Sequence, residues 1–241
     1  LIDYTAQQAS GVASWSRDTE HIEKGFTFGG MPAKNGVTSA LLVHAGWTGV
    51  DDVLHGENNY FLMNSPGNTK IPTELLIEQL GERYEITRTN LKKWSVGSPI
   101  QAPLDAMEII LKKRPLDPNQ VKEIIVRMDP GSVVDNREMP DVNVHHMMAV
   151  ILIDKDATFK AAHDVARMKD PAILRERAKV KLVPGGGRGS VQPPLVQVRL
   201  ADGTTVSEDV KAVLGTVDNP MTREQIVAKC RSLMTPIVGA A

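Results

Sequence analysis

The apolar positions of this chain follow two periods. In "MPAKNGVTSALLVHAG", residues 31–46, Pro32 stands near the start, Val37, Ala40 and Leu41 recur at helical spacing, and Gly46 supplies a stop. "TGVDDVL" predicts a second helix, with Thr48 as N-cap and Asp51 and Asp52 in its first turn. "IPTELLIEQLGE" reads as a short amphipathic helix ending at Gly81. Leu1, Tyr4, Val12 and Trp15 are already spaced as if inside a helix, and no methionine opens the chain, so an N-terminal portion is expected to precede it.

Beyond this the period shortens to two. "VKEIIVRM" alternates Ile124, Val126 and Met128 against Glu123, Ile125 and Arg127, as a strand does. "KVKLV" and "PLVQVRL" are further strands, and Asp202-Gly203 is a hairpin signal joining the latter to a partner. Helical stretches lie between them: "APLDAMEIILKK", "PDVNVHHMMAVILID", "FKAAHDVARM" and a short one from Asp170-Pro171. The tail carries a capping box, Thr222 with Gln225, before apolar Ile226, Val227 and Leu233. The expected fold is multidomain, α and α+β. Residues 1–90 are part of an all-α domain, residues 91–213 an α+β lobe, and residues 214–241 a closing helix that returns to the helical domain.

Composition narrows the function classes. The 241 residues carry a net charge of −1, so nucleic acid is not an expected partner. No apolar run reaches the length of a membrane span. The single cysteine, Cys230, permits no internal disulfide and fits a reducing, cytoplasmic setting; it reads as a small core residue of the closing helix.

Four stretches, in order, resemble the MmgE/PrpD family: "GGMPAKNGVTSALLVHAGWTGVDDVLHGENNYF", "KKWSVGSPIQAPLDAMEIIL", "REMPDVNVHHMMAVILID" and "DNPMTREQIVAKCRSLM". The resemblance implies a large helical domain, present here only in its later part, and an α+β lid domain. It implies a homodimer and a cleft handling small di- or tricarboxylates without a cofactor. The reaction would be dehydration, decarboxylation or epimerisation, begun by proton abstraction next to a carboxylate. The full-length parent is the expected enzyme, and this chain alone is expected to be inactive. A non-catalytic fragment or binding subunit of the same fold is the rival reading.

The resemblance also marks positions. Family members carry "TK-x-L-H-x-G" near residues 21–36. Aligned on Asn35-Gly36, the family lysine falls at Gly25, beside Lys24, and the histidine at Phe28, leaving His21 as the nearest imidazole. Lys24 is either a catalytic or substrate-binding cation or a solvated loop residue. Gly29 and Gly30 either cradle an anion at the following helix start or serve only as a loop. Gln101 stands where many members have a histidine, in the register fixed by Asp105; an amide there can hydrogen-bond a carboxylate or carbonyl but cannot shuttle a proton, and it is either a binding residue or an ordinary polar residue at a helix start. Ser98 is a second binding candidate. In "PDVNVHH", Asp141 occupies the position of a common family tyrosine, and Asn143 is a further binding candidate. On one helix Asp141 and His145 form an i, i+4 pair, a carboxylate orienting an imidazole as a general base requires. Adjacent histidines on a helix are also commonly packing residues. No metal is expected, because the histidines show no ligand spacing. "PGGGRGSVQPP" lies between strands and reads as a hairpin loop, not a phosphate cradle.

Overall fold

The computed structural model describes residues 29–64, 74, 77–129, 138–186 and 193–239. The chain divides into two units, residues 1–83 and residues 84–241.

In the first unit α1 spans Met31–His44, with Pro32 in its first turn and Gly46 at φ +93° just past its end. The helix predicted after Thr48 does not form. Residues 51–54 are turns, and Asp52 sits at φ +56°. The cap is instead Asn59, whose Oδ1 accepts the amides of Phe61 and Leu62 (both 3.0 Å) and starts α2, Tyr60–Asn64. The described part of the predicted helix around residues 71–82 is likewise turns at 77–82, because Gln79 adopts φ +55° ahead of Gly81 at φ +84°.

The second unit is α+β. Its helices are α3 (Gln101–Lys113), α4 (Val144–Asp154), α5 (Phe159–Ala162), α6 (Pro171–Arg177) and α7 (Arg223–Val238). Its strands are β1 (Val121–Arg127), β2 (Val180–Val183), β3 (Leu195–Leu200) and β4 (Thr205–Asp209), in sheet order β2-β1-β3-β4. β1 pairs parallel with β2, Ile124 against Val180, and antiparallel with β3, Ile124 against Val198. The parallel pair requires a crossover, which α4 and α6 supply. The β3–β4 hairpin turns at Asp202-Gly203: Asp202 Oδ1 accepts the Thr204 amide at 2.8 Å and Gly203 takes φ +84°.

α3 packs on β3, β4 and α4, and α4 packs on α6 and β2. Ile124, Val126, Val196 and Val198 from the sheet meet Leu104 and Met107 of α3, Met147, Met148 and Ile151 of α4, and Ile173 of α6; all are fully buried. Each such side chain contributes about 1.5–3 kcal/mol on leaving water. α4 is buried nearly all round, which accounts for its run of apolar residues without a polar face. "FKAAHDVARM" forms only α5 and a 3-10 turn, Ala166–Lys169, because the Thr158 hydroxyl caps the first piece and Asp164 restarts the second by accepting the Arg167 amide at 3.1 Å. α7 begins with the predicted capping box, but Cys230 on it is exposed, not a core residue.

A partly buried charge cluster joins α3 to the segment before it. Glu108 pairs with Lys93 and, at 3.0 Å, with Lys112. Burial pushes its carboxyl up, but the two lysines together hold it below the ordinary value. A depressed acid stabilises the fold above its unfolded pKa, about 4.5 here, and loses that contribution as pH falls through the folded value. Glu108→Gln is therefore expected to cost about 1 kcal/mol at neutral pH. Urea midpoints of the two proteins should converge as the pH falls below about 4.5.

Candidate functional site

Residues 91–97 run as an irregular strap into a 3-10 turn, Ser98–Ile100, and then α3. Nothing in the local propensity of "LKKWSVG" fixes this path, so its polar groups must be satisfied from outside. Leu91 N–H donates to Gly215 O at 2.8 Å. Trp94 N–H donates to Gln101 Oε1 at 3.1 Å, and Gln101 Nε2 donates to Trp94 O at 2.8 Å and to Val96 O at 3.3 Å. Trp94 Nε1–H donates to Asp105 Oδ1 at 2.8 Å, while Leu214 N–H donates to Asp105 Oδ2 at 2.9 Å. Burial pushes the Asp105 carboxyl up, against the two N–H donors that favour its charge. The Lys93 ammonium lies 4.3 Å from the centre of the Trp94 ring.

The far end of the strap meets a second segment. Gly97 N–H donates to Asp141 O at 2.8 Å. Asp141 belongs to a 3-10 turn, Pro140–Val142, that leads into α4. The fold thus brings Ser98, Gln101, Asp141 and Asn143 together at the entrances of α3 and α4, although they are far apart in sequence.

The two segments differ in detail from the helix predicted over residues 140–154. α4 begins only at Val144, because Asn143 is extended (φ −115°, ψ 103°) and its Oδ1 accepts the His146 amide at 2.9 Å. Asp141 and His145 are therefore not an i, i+4 pair on one helix. Asp141 is buried in the preceding turn, and His145 is half-buried in the first turn of α4. Its neighbour His146 is the fully buried histidine. Asn143 is a cap, and the Gln101 amide holds strap backbone at both ends. Ser98 is exposed.

Gly29 and Gly30 are exposed in the turn entering α1, and Gly30 has helical angles (φ −69°, ψ −42°). A Cβ on Gly29 would meet nothing within 4 Å, so no close approach requires glycine there. Both belong to the first unit. Lys24 and His21 lie outside the described residues.

Two lysines with no motif to mark them in the sequence, Lys92 and Lys229, also touch the strap. Lys92 Nζ donates to Val96 O at 3.1 Å, and Lys229 Nζ of α7 donates to Lys92 O. Among the described residues no group of His, Cys, Asp and Glu could hold a metal ion, and no helix is long and apolar enough to cross a membrane.

An α+β domain whose helix entrances are tied by an irregular strap, anchored through buried hydrogen bonds, is the class defined by these features. Residues 94–241 match the MmgE/PrpD C-terminal domain, and the chain belongs to the MmgE/PrpD family. The chain is also similar to cis-aconitate decarboxylase of Aspergillus terreus, 23% identical over 259 aligned positions, which cover 94% of this chain and 50% of that relative. It thus spans about half the length of the curated relative it matches.

Proposed function

We propose that the chain is part of a cofactor-independent lyase or isomerase that acts on a small di- or tricarboxylate, working as a cytoplasmic homodimer in its full-length form. An acidic C–H proton next to a carboxylate is removed, and loss of water or reprotonation on the other face follows. In a decarboxylating member the same carbanionic charge would arise by loss of CO2. Family membership and the similarity to a decarboxylase support the reaction class. The observation that carries the location is the Gly97–Asp141 hydrogen bond, 2.8 Å, which joins the segment that resembles the family's lid-opening stretch to the one that carries His145.

In this reading His145, half-buried in the first turn of α4, takes the proton, because imidazole is a side chain suited to general-base work. Asp141, buried in the adjoining turn, is the carboxyl group assigned to work with it. Ser98 binds a carboxylate oxygen, while Gln101 and Asn143 act by fixing the strap and the start of α4. Lys24, His21, Gly29 and Gly30 keep the anion-binding roles that the family resemblance implies for them.

Proton exchange of candidate di- and tricarboxylates in D2O, followed by NMR with the full-length parent, checks the reading. His145→Ala is expected to slow exchange about 100-fold. Wild-type exchange in both His145→Ala and Lys24→Ala would remove these residues from the chemistry. Binding of an acid without any exchange would favour the binding-subunit reading.

A further inference from the structure

The four lysines of the strap and α3 do not share one fate. Lys93 and Lys112 pair with Glu108, and Lys113 pairs with Glu208 at 2.6 Å. Lys92 has no carboxylate within ion-pair distance among the described residues; its ammonium turns back onto Val96 O. Lys229, half-buried on α7, also has none, and donates to Lys92 O. Burial first, and then the charge of Lys92, push the Lys229 ammonium below its ordinary value. The fold therefore holds two cations beside each other without a counter-ion. It holds them on the strap whose other end enters the site at Gly97 and Ser98. Lys92 is exposed and Lys229 half-buried; a partly dehydrated cation held beside a second one is an unfavourable arrangement that one anion relieves.

We propose that Lys229 and Lys92 together hold one carboxylate of a small polycarboxylate against the strap. This rests on the function proposed above and adds to it a cationic end supplied by the closing helix. Lys229 reaches the strap from α7 and Lys92 belongs to the strap, and each ammonium has donors left beyond its one carbonyl bond. Two such cations match the two oxygens of a carboxylate.

Citrate serves as the tricarboxylate probe, titrated into the whole chain, with sodium chloride at matched ionic strength as control. The readouts are the citrate-dependent rise in melting temperature and the shifts of isotopically labelled lysine side chains. Lys229→Gln and Lys92→Gln are each expected to weaken citrate binding about tenfold. Lys229→Arg should retain most of the affinity, and Lys211→Gln, an exposed lysine elsewhere, should bind as wild type. If Lys229→Gln fails to fold, Lys92→Gln alone carries the comparison. Wild-type affinity in the lysine variants, or an equal response to chloride, overturns the proposal. Citrate binding that needs both lysines, with no acid exchanging protons in the full-length parent, would refute the reaction and leave this site standing. Exchange through His145 with citrate binding indifferent to Lys229 and Lys92 would do the reverse.

Discussion

Gly215→Ala is expected to destabilise the protein by about 4 kcal/mol, through strain and a broken backbone bond. Gly215 sits at φ +94°, and a Cβ built there falls 1.8 Å from the carbonyl oxygen of Leu91. Backbone blocks the way, so no rotamer change relieves the clash. The strap must move away, and the Leu91 N–H to Gly215 O bond of 2.8 Å goes with it. Gly203→Ala separates the two causes. Gly203 has a similar φ, +84°, but nothing lies within 4 Å of its Cβ, so its loss should be only about 1 kcal/mol. Urea unfolding followed by circular dichroism gives both numbers. Equal midpoints for the two variants would mean that the Leu91 contact carries no weight.

The second large effect concerns a buried charge. Glu176 of α6 is fully buried and accepts from Arg175 Nε at 2.9 Å and Lys179 Nζ at 2.6 Å; Lys179 also donates to Pro118 O at 2.9 Å. The carboxylate thereby ties α6 to the chain entering β1. Glu176→Ala leaves the mostly buried Lys179 ammonium without its counter-ion and should cost about 3–5 kcal/mol. Replacing both partners, Glu176→Met with Lys179→Met, should recover much of that loss, because two apolar side chains need no compensating charge. Denaturant midpoints of the single and double variants decide it. A double variant no better than the single one would show that the pair's directed hydrogen bonds matter more than charge compensation.

Elements with a strong period or an unambiguous cap were legible along the chain. β1 follows from the alternation around Ile124 and Val126, the β3–β4 turn from Asp202-Gly203, and α7 from the Thr222–Gln225 box. Each depends on neighbours within a few residues. The four family-like stretches were legible for the same reason, being local strings. The start of α4 was not, because an Asx cap at Asn143 competes with continued helix and only packing around Gly97 and Asp141 decides between them. The helix expected after Thr48 gives way to turns with Asp52 at φ +56°, and the helix start falls at Asn59, next to apolar Tyr60 and Phe61.

The site itself divides along the same line. Residue order alone indicates which segments matter: the stretch around Gln101, the stretch around His145, and a glycine-rich stretch from 21 to 36. It carries no information about how a strap without intrinsic structure is held. That is settled by partners distant in the chain: Gly215, Asp141 and Lys229 bond strap backbone directly, and Leu214 helps hold Asp105, which accepts from the Trp94 indole. Local patterns set the helices and strands because their hydrogen bonds close within or between regular elements. The irregular strap closes its hydrogen bonds across the fold, so only the folded chain specifies where Ser98, Asp141 and the two lysines come to lie.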